Sequence, residues 1–556
     1  MVSGICRCLL LGSTLAGAAA YVGAALAEGM PVRLTSPEAG IALRVLGRYD
    51  GGVYSGKAVQ GPPAYDPETK RLFVASQIRA EIDVLDLSRP SRPTKVGSIG
   101  VADLPPGIDP AKLEGGFSSL AYRDGVLAVA FAARDKGDTG IVLLSDGQGH
   151  PIAGPVDVGY SPNQMRFLPD GRTLLLANTA DPSPTVDPEA SLSLIELGKP
   201  GRPSRKPSVT SIGFRQFNGR EDQLRAAGVR IYTPGASAAQ DFEPESLTIS
   251  EDGRTAWVTL ERNNAIAVVD LTKRKVRKLL PLGFRDLSKP GGGIDASDQD
   301  GRINIRPWPV HALYEPDWIA AYRTNGRTYL TMANEGDPRP GEEVRVGEAK
   351  LDPAAFPNAA SLQRPENLGR LEVTRVESDP DRDGVLERLY ALGARSFSIR
   401  TADGGLVFDS GGAFERVTAR AVPKYFNTRD DANIFDDRSD DRGPEPEAVT
   451  VGRVAGRQYA FVLFERIGGV IAYDITRPQA ARFQEYVNTR NFAVDPGKVC
   501  EKDKPKSAAC DAAGDLNPES LLFIPAEQSP SKSALLAVRY DLSDTMTIFA
   551  VEPKRK

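Results

Sequence analysis

Histidine is scarce in this sequence: its 556 residues include only two, His150 and His311. No recognisable motif surrounds either one, so a Ser-His-Asp or Cys-His mechanism has little to rest on. The sequence also lacks a G-x-S-x-G elbow, a G-x-x-x-x-G-K-[ST] loop, a G-x-G-x-x-G after a strand and an H-E-x-x-H pair. We interpret both histidines as hydrogen-bonded loop or surface residues. Acidic oxygens and arginines are the chemistry that remains.

An excess of positive charge is also missing. The formal net charge is −4 and the sequence pI is about 5.7, so no basic surface for nucleic acid is predicted. The composition, with 41% hydrophobic residues, 54 glycines and 43 prolines, allows a large core and the many turns that short strands require. We therefore expect a globular protein with no nucleic-acid partner.

Long apolar runs are confined to the N-terminus. Residues 1–27 combine Arg7, an Ala/Leu/Gly run and Ala25-Leu26-Ala27, which fits a secretory signal peptide with an A-x-A cleavage site. An N-terminal membrane anchor is the alternative, because residues 9–26 are borderline in length for a span. We expect a secreted or periplasmic protein of residues 28–556, with no stable membrane anchor after signal removal. Its oligomeric state is left open.

Cysteine is equally rare. Of the four cysteines, Cys6 and Cys8 lie in the predicted signal peptide, and Cys500 and Cys510 flank a loop rich in Lys, Asp, Pro and Ala. In an oxidising compartment, a disulfide between the last two is the favoured interpretation. A zinc site is disfavoured because two further ligands are missing.

What the sequence has in abundance is a repeated unit, clearest in residues 443–478. A Pro-acid step, Pro446-Glu447, opens a β-branched run, and a turn at residues 455–457 leads to a second strand at 459–463. A third strand follows at residues 469–474. Three short strands joined by tight polar turns predict a meander sheet and not a βαβ unit.

Units with the same order of parts recur along the chain. Clear copies begin at Pro244-Glu245, Pro316-Asp317 and Pro518-Glu519, and degenerate copies cover residues 65–87, 119–144 and 163–197. About seven small antiparallel sheets predict an all-β fold, a single β-propeller. The strand predicted at residues 43–50 lies outside this count, and we expect it to close the ring by joining the last sheet.

The chain is much longer than the propeller needs. Seven units of about 40 residues require only about 280 residues, so long insertions must be present. We predict them at residues 208–240, 283–314, 336–403 and 426–443, which hold most of the acidic clusters. Loops of this length inside a compact repeat protein are usually functional.

Four segments carry a more specific resemblance: AQDFEPESLTISEDGRTAWVTLERNNAIAVVDL, DASDQDGRINIRPWPV, NEGD and RSDDRGPEPEAVTVG. Over roughly residues 43–551 the chain resembles the choice-of-anchor I family of secreted bacterial β-propellers. That family is similar to the mesenchyme-specific cell-surface glycoproteins of biomineralising animals and to the atypical alkaline phosphatases of cyanobacteria. The chain departs from the family pattern at residues 177–181 and 537–539, where relatives typically have an acidic residue.

The repeated acids are candidate metal ligands. If the Pro-acid step begins the innermost strand of each sheet, Glu245, Asp317, Glu447 and Glu519 should approach one mouth of the central channel. The ends of the second strands, Glu261-Arg262, Asn334-Glu335 and Glu465-Arg466, are expected at the same mouth. Like charges so close repel unless a cation or arginines compensate. Oxygen-only sites suit Ca²⁺ first, and Mg²⁺ or Mn²⁺ next. The alternative is that each acid only caps loop amides and pairs with an arginine in its own sheet.

A second candidate Ca²⁺ site lies in the third insertion. Asp379, Asp381 and Asp383 alternate before Gly384, as in a Ca²⁺-binding loop, but position twelve is Tyr390 and not a bidentate glutamate. Glu387 would have to complete the site, and a solvated acidic turn is the alternative. A weaker pattern of the same kind is formed by Asp295, Asp298 and Asp300 with Gly301.

Two functions from different classes follow from the resemblance and the acids. The first is a metal-dependent phosphoric-ester hydrolase acting on a small phosphorylated substrate, in which Arg306, Arg395 and Arg466 hold the phosphoryl oxygens bidentately. The second is a non-catalytic calcium-binding or adhesive propeller whose partner is the extracellular matrix. The missing family acids favour the second function. The set of arginines and carboxylates favours the first, which is our working hypothesis.

Overall fold

A computed structural model describes residues 30–55, 61–100, 108–113 and 117–554. Within these ranges, seven antiparallel sheets follow one another in chain order, and we number them blades 1 to 7. The first strands of successive blades contact each other from blade 1 to blade 7. These strands therefore line a central channel, and the prediction of a β-propeller with about seven blades is confirmed.

The strands of each blade run from the channel outwards. Blade 1 contains Ala64–Asp66, Arg71–Ser76, Glu81–Asp86 and Thr94–Gly100, and blade 2 contains Ser119–Arg123, Val126–Phe131, Ile141–Ser145 and Val156–Asp157. Blade 3 contains Pro162–Phe167, Thr173–Asn178, Ser191–Lys199 and Arg202–Gly213. Blade 4 contains Pro244–Ile249, Thr255–Leu260, Ala265–Asp270 and Lys275–Pro281. In blades 5 to 7 the strands are Ile319–Thr324, Arg327–Asn334, Ser396–Thr401 and Leu406–Asp409; Pro446–Val454, Arg457–Phe464, Val470–Asp474 and Arg482–Asn488; and Pro518–Ile524, Ala534–Tyr540 and Thr545–Pro553.

The N-terminal strands complete the last two blades. Ile41–Asp50 pairs antiparallel with Thr545–Pro553 and is the outer strand of blade 7. Val32–Thr35 pairs with Arg482–Asn488 at the outer edge of blade 6. The predicted closing strand is thus confirmed. Pairing an N-terminal strand with the last strand of the chain removes a free sheet edge and ties the ring shut.

The hydrophobic core lies between the blades. Side chains alternate between the two faces of each strand, so both faces of a blade bury apolar residues against its neighbours. Ile266 of blade 4, for example, packs in one cluster with Leu330 and Met332 of blade 5. Val74 of blade 1 joins Leu535 of blade 7 in the cluster that closes the ring.

The insertions form small elements of their own. Their strands are Phe284–Asp286, His311–Leu313 and Tyr390–Ala391 in one sheet, Glu343–Arg345 with Glu372–Thr374, and Lys350–Leu351 with Val385–Leu386. Val53–Tyr54 pairs with Lys504–Pro505 near the C-terminal end. The α-helices of the described residues are short: Glu221–Ala226, Ala238–Asp241, Ala359–Leu362, Arg375–Ser378, Ala413–Ala421, Pro496–Val499 and Ala508–Asp511. None of these helices has the length and apolarity needed to cross a membrane.

Two insertion boundaries differ from the sequence expectation. The range 336–403 runs into blade 5, because Ser396–Thr401 is its third strand, and the range 208–240 begins inside the outer strand Arg202–Gly213 of blade 3. Arg202–Gly213 is a polar strand at the surface, whereas Ser396–Thr401 is a buried strand in which polar residues alternate with Phe397 and Ile399. The predicted signal peptide, residues 1–27, lies outside the described residues.

The predicted disulfide between Cys500 and Cys510 is present. It closes a short loop whose residues pack, with Tyr54 and Leu542, in a small apolar cluster beside blade 7.

Candidate metal centre

Two positions recur at one end of the channel. In blades 3, 4, 6 and 7 the first is the second residue of the inner strand, directly after the proline that opens it, and in blade 5 it is Asp317, which follows Pro316 and precedes the inner strand Ile319–Thr324. The second position directly follows the second strand of the blade. In blade 4 these are Glu245 and Glu261, because Pro244 pairs with Leu260. Pro446 and Pro518 occupy the place of Pro244 in blades 6 and 7. In all three blades the register shifts after the proline, and a bulge of this kind re-aims the next side chain.

These positions surround a cavity of about 1040 Å³ at the channel mouth. Acidic side chains dominate the part contributed by blades 4 to 7: Glu243, Glu245, Glu261, Asp317, Glu335, Asp337, Glu447, Glu465 and Glu519. All seven acids predicted to meet at this mouth are therefore in the wall of one cavity. We call this part of the wall, together with Glu445, which is bonded to Arg466 of the wall, the acidic arc.

The carboxylates of the acidic arc fall into three overlapping triads. In each triad, one oxygen from each carboxylate lies within 4.8 Å of the others, and the triads are Glu245–Glu261–Asp317, Asp317–Glu335–Glu447 and Glu335–Glu445–Glu465. Asp317 and Glu335 each belong to two triads. The three groups are therefore one continuous chain of carboxylates across blades 4, 5 and 6.

Burial and mutual repulsion make these carboxylates hard to ionise. Burial raises the pKa of Glu245 and of Glu335 to about 7. The pKa values of Glu261, Asp317 and Glu447 lie well above their usual range, first because of burial and then because of neighbouring carboxylates. Such a set is stable only if protons or cations compensate the charge.

One oxygen of the acidic arc is left without a partner. Glu261 is only 2% exposed, and its Oε1 accepts no hydrogen bond within the part of the chain that the structure describes. A buried carboxylate oxygen without a partner is costly. Because Glu261 belongs to the first triad, this oxygen belongs to a group that already has the composition of a hard-cation site.

Arginines neutralise Glu243 and Asp337, which flank the triads, and Glu445 and Glu465, which belong to the third triad. Arg262 is paired with Glu243 and Asp337. Arg466 donates from Nε to Glu445 at 2.6 Å and from Nη1 to Glu465 at 2.8 Å. Although burial alone would raise it, the pKa of Glu445 is held well below its usual range by the guanidiniums of Arg466, Arg438 and Arg442.

The acids at the centre of the arc have no such compensation. Within the described ranges, Glu245, Asp317, Glu335, Glu447 and Glu519 form no ion pair with an arginine or lysine. One alternative from the sequence was that every repeated acid pairs with an arginine in its own sheet. That alternative fits the acids paired with arginine, Glu243, Glu445 and Glu465, and does not fit the five central acids.

The sequence analysis missed the residue before each proline. The pairs Glu243 and Glu245, Glu315 and Asp317, and Glu445 and Glu447 each straddle a proline. In each pair the second acid lines the cavity, whereas the first binds arginine: Glu243 binds Arg262, Glu315 binds Arg230 and Glu445 binds Arg466. The acid-Pro-acid pattern could have identified these first acids from the sequence, because the carboxylates on the two sides of the proline have different partners.

Only one of the three predicted phosphate-binding arginines is in the cavity wall. Arg466 lines it. Arg306 instead lies 3.6 Å over the ring of Trp308 and donates to Asn367 at 2.8 Å. The three arginines of the predicted clamp therefore do not meet in the cavity, because the insertion carrying Arg306 folds outside the channel mouth.

Arg395 is also absent from the cavity wall and is buried elsewhere. It donates to Glu415 at 2.6 Å and to the carbonyl oxygens of Asp295, Ser439 and Asp441. These contacts join three loops, and they leave the guanidinium turned away from the cavity. Arg262, which the predicted clamp omitted, lines the cavity on the far side of the triads from Arg466.

The predicted loop site is separate from the channel mouth. Asp379, Asp381, Asp383 and Glu387 each offer an oxygen within 4.8 Å of the others. Both oxygens of Asp379 already accept backbone N–H groups, from Asp383 at 3.1 Å and Gly384 at 2.8 Å. Such bonds are those of an acidic turn, and a Ca²⁺ site in this loop stays a prediction.

In blades 2 and 3 the two positions carry uncharged residues, Ser118 and Ala132 in blade 2 and Asn163 and Thr179 in blade 3, and all four line the cavity. Arg134, Lys136 and Asp181 of these blades also line it, so it is the two recurring positions, and not the whole wall of these blades, that are uncharged. The positions in blade 3 are equivalent to those in blade 4, because Pro162 pairs with Asn178 in blade 3 just as Pro244 pairs with Leu260 in blade 4. We call these two blades the uncharged arc.

Both histidines lie outside the cavity. The His150 ring is exposed and bonded to Asp146. The His311 ring packs against Phe284 and Tyr390. Neither is among the residues that line the channel mouth.

Comparison with known proteins identifies relatives. A family model for the choice-of-anchor I domain matches residues 62–478. The chain is 27% identical over 316 residues to the mesenchyme-specific cell surface glycoprotein of Strongylocentrotus purpuratus, covering 48% of this chain and 40% of that protein. It is 29% identical over 205 residues to gigasin-3a of Magallana gigas, covering 34% of this chain and 67% of that protein.

Solved structures are more distant. Hydrazine synthase of Kuenenia stuttgartiensis has 13% identity and a TM-score of 0.42, over 90% of this chain and 99% of that chain. The WD40 domain of Toxoplasma gondii coronin has 10% identity and a TM-score of 0.43, over 93% of this chain and 89% of that chain. No conclusion about this protein rests on these two likenesses.

Proposed function

The chain belongs to the choice-of-anchor I family, and we propose that it is an extracytoplasmic β-propeller whose acidic arc binds divalent cations of the Ca²⁺ type. The observation that carries the proposal is the row of three overlapping carboxylate triads at the channel mouth. Two shared carboxylates, Asp317 and Glu335, would allow neighbouring ions to be held by common ligands. More than one ion per chain is therefore expected.

The donor set fits hard cations. The triads consist of carboxylate oxygens alone, which suit Ca²⁺ first and Mg²⁺ or Mn²⁺ next, whereas soft metals prefer sulfur and nitrogen ligands. Glu261 Oε1, which has no hydrogen-bond partner among the described residues, supports the fit. When bound, such cations would neutralise the carboxylates and attract the oxygens of a phosphate or another oxyanion.

The protein's own residues would shape what binds next to the ions. Arg262 and Arg466 stand at the two ends of the row of triads and are held there by Glu243 and Glu445. Arg262 binds carboxylates of the wall through Nη1 and Nη2, and Arg466 binds carboxylates of the wall or beside it through Nε and Nη1. Each guanidinium can still offer its remaining N–H groups to an oxyanion. The cavity volume, about 1040 Å³, is enough for a small ligand.

Hydrolysis of phosphoric esters is the second candidate function. It is favoured by one observation, the presence of Arg262 and Arg466 in the same cavity as the triads. The partner is then a small phosphorylated substrate. If the protein has no such activity, cation-dependent attachment to an extracellular matrix is the alternative, in which the same carboxylates and ions make the contact.

The proposed location outside the cytoplasm has three supports. One relative is by name a cell surface glycoprotein, the described residues contain a disulfide, and residues 1–27 have the pattern of a signal peptide. The matched segments cover less than half of the sea-urchin protein. The activity and partners of the whole relative are therefore not transferred to this chain.

Calorimetric titration of chelator-treated protein with Ca²⁺ tests the cation proposal. Glu335→Gln should lower the affinity or the number of bound ions most, because Glu335 belongs to two triads, while Glu447→Gln should weaken one triad. The matched control is Glu251→Gln, the same change at an exposed turn of blade 4. Equal titration curves for wild type and Glu335→Gln would contradict the proposal.

An assay of phosphomonoesters and phosphodiesters tests the second candidate. The Ca²⁺-replete wild type should turn over one of these substrates, and Glu447→Gln should not, because the variant keeps the shape of the side chain and loses its charge. Folding of both proteins is verified by circular dichroism. If the folded, Ca²⁺-replete wild type shows no turnover above the variant, the hydrolase is rejected and the binding function stands alone.

A further inference from the structure

A second group of buried oxygens lies where two insertions meet. Asp295, Asp300 and Asn304 come from the insertion between blades 4 and 5, and Asn427 and Asp436 come from the one between blades 5 and 6. We call these five residues the inter-loop cluster. None of them lines the cavity at the channel mouth, so the cluster is distinct from the acidic arc.

Arg395 and Ser439 hold the two loops together. Arg395 donates from Nη1 to the carbonyl oxygen of Asp295 at 2.8 Å and from Nη2 to that of Ser439 at 2.9 Å. The Ser439 hydroxyl donates to Asp436 Oδ1 at 2.5 Å and accepts from Asn427 Nδ2 at 2.8 Å. The Ser439 hydroxyl thus bridges the side chains of Asn427 and Asp436.

Each of these two side chains has one oxygen without a partner. Asn427 is 0% and Asp436 is 1% exposed, and within the described residues neither Asn427 Oδ1 nor Asp436 Oδ2 accepts a hydrogen bond. Two such oxygens, both fully buried and joined through one hydroxyl, carry a large desolvation cost unless a positively charged group satisfies both.

The charges around the cluster do not balance. Glu415 is paired with the buried Arg395 and also lies near the buried Arg285, so it is compensated. Of the three carboxylates of the cluster, those of Asp295, Asp300 and Asp436, only Asp300 is paired with an arginine in the described part of the chain, the exposed Arg302. Two negative charges are left over. Burial raises the pKa of Asp295 to about 7 and that of Asp436 to about 8, and the other carboxylates of the cluster add to both shifts.

We propose that the inter-loop cluster binds one divalent cation of the Ca²⁺ type through the oxygens of Asn427 and Asp436 that have no partner among the described residues, with Asp295 as the neighbouring carboxylate. The oxygens of Asp295 also accept the backbone N–H groups of Ser297 and Asn304. One divalent ion cancels the excess charge and satisfies both oxygens that have no partner. Two carboxylates and an amide oxygen are ligands that Ca²⁺ accepts in proteins. Asp298, which the sequence pattern grouped with Asp295, does not take part, because both its oxygens bind Arg370.

The proposed ion has a consequence for the channel mouth. The loop that carries Asn427 and Asp436 continues through Gly443 to Glu445, a member of the third triad. Gly443 has a φ of +63°, and a Cβ there would lie 3.0 Å from Glu415 Oε1 and 3.1 Å from Arg395 Nη1. The chain is thus packed against the Arg395–Glu415 pair two residues before it enters the acidic arc. An ion in the cluster fixes the loop that delivers Glu445.

The ion content of variants tests the proposal. Full-length protein is treated with chelator, dialysed against Ca²⁺ and measured by inductively coupled plasma mass spectrometry. Asp436→Asn should lose one ion per chain. Asp437→Asn is the matched control, because the same change one residue further removes an acid that binds Arg429 at the loop surface. Full ion content in folded Asp436→Asn would overturn the proposal.

The same measurement separates this site from the acidic arc. Glu447→Gln should keep the ion that Asp436→Asn loses. If Asp436→Asn loses an ion and Glu335→Gln and Glu447→Gln lose none, the inter-loop site stands and the proposed function of the arc fails. If Glu335→Gln or Glu447→Gln loses ions and Asp436→Asn loses none, the reverse holds.

A luminescent probe serves if Asp436→Asn does not fold. Trp308 donates its indole N–H to the carbonyl oxygen of Ile294, next to Asp295 in the chain, so it can sensitise Tb³⁺ bound at the cluster. Trp308→Phe should lose emission that Trp318→Phe retains, because Trp318 neighbours Asp317 of the arc, and both should bind as much Tb³⁺ as the wild type. Unchanged emission from Trp308→Phe would overturn the proposal.

Discussion

The acidic arc and the uncharged arc present the same backbone positions with different side chains. Glu245 and Glu261 of blade 4 occupy the places that Asn163 and Thr179 occupy in blade 3, and both blades are complete four-stranded sheets. A propeller blade therefore does not need a carboxylate at either position to fold. The acids carry a desolvation and repulsion cost that blades 2 and 3 avoid, so their presence in blades 4 to 6 supports the proposed cation binding and is not a requirement of folding.

Blade 7 stands between the two arcs. It has Glu519 at the first position, but Asp541, at the second, pairs with Arg539 at 2.9 Å. In blade 3 the second position is Thr179, whose hydroxyl donates to the carbonyl oxygen of Pro244. Thr179 lies in a segment where the sequence departs from the family pattern, whereas in blade 7 that segment, residues 537–539, ends before the second position, which keeps an acid. Because blade 3 lacks the acid and blade 7 pairs it with Arg539, the acids of the triads come from blades 4 to 6, with Glu519 beside them in blade 7.

Removal of divalent ions should have the largest effect, and it should act through the acidic arc. Ca²⁺ at 100 times its dissociation constant is expected to stabilise the folded state by about 2.7 kcal/mol per site. Differential scanning calorimetry of chelated protein, with and without Ca²⁺, measures the change. An equal ionic strength of KCl is the control for screening. An unchanged melting temperature would contradict ion binding by the acidic arc, and the acidic arc would then not differ from the uncharged arc in this respect.

The pH dependence of the ion-free protein should be the next largest effect. The pKa of Glu245 and of Glu335 is raised from 4.5 to about 7, so the folded state holds protons that the unfolded chain releases. The stability they contribute is present below pH 4.5 and is lost as the pH rises through 7, by a few kcal/mol in total. Burial also raises the pKa of Asp295 to about 7 and that of Asp436 to about 8, which acts in the same direction, so a variant of the acidic arc is needed to assign its share.

Urea titrations between pH 5.5 and 8 measure this effect. Saturating Ca²⁺ should abolish the fall in the free energy of unfolding, because bound ions then replace the protons. Glu245→Gln should reduce the fall in the ion-free protein. A free energy of unfolding that rises with pH in the absence of ions would contradict the assignment of repulsion to the acidic arc.

Arg466→Lys tests whether the guanidinium at one end of the acidic arc binds an oxyanion such as phosphate. Lysine keeps the charge but not the planar pair of donors, so affinity for inorganic phosphate in the presence of Ca²⁺ should fall about tenfold, or about 1.4 kcal/mol, with Ca²⁺ binding itself retained. Arg172→Lys, at an exposed turn of blade 3, is the matched control. Equal phosphate affinity in the two variants would exclude Arg466 from ligand binding.

Thr179→Glu should have the smallest effect and tests whether the uncharged arc can be converted. The new carboxylate stands at the place of Glu261 and loses the hydrogen bond to Pro244, so the ion-free protein should be less stable by about 1 kcal/mol. Added Ca²⁺ should recover part of this loss. Asn163→Ala, a neutral change in the same blade, should alter Ca²⁺ affinity less than twofold. A larger effect from Asn163→Ala would mean that both arcs bind the ions.

Much of the fold was accessible from sequence because its signals are local. The Pro-acid step, the turn and the alternating apolar residues of residues 443–478 repeat at intervals that a reader can align, and each alignment predicts one sheet. The same reasoning located Glu245, Asp317, Glu447 and Glu519 at one mouth, since equivalent positions of repeated blades must meet at the axis. The closing strand Ile41–Asp50 followed from the need to cover an edge.

The arginines could not be assigned in this way. Arg306 and Arg395 lie in or beside insertions, which do not repeat, so no symmetry relates them to the axis. Only the packing of the insertions shows that Arg306 stacks on Trp308 and that Arg395 joins three loops. Arg262 was recognisable as a strand-end residue, but its partnership with Asp337 depends on a neighbouring blade.

The sequence by itself determined the propeller, the number of blades and the residue types at the channel mouth, because these depend on periodicity and on repeated positions. The tertiary structure alone decided which acids are neutralised by arginine and which are left to repel one another, because ion pairs such as Arg230 with Glu315 join residues far apart in the chain. It also brought Asp295 and Asp436 together from two insertions with no common pattern. Charge balance in a buried site depends on all neighbours within a few ångströms, and sequence order does not record them.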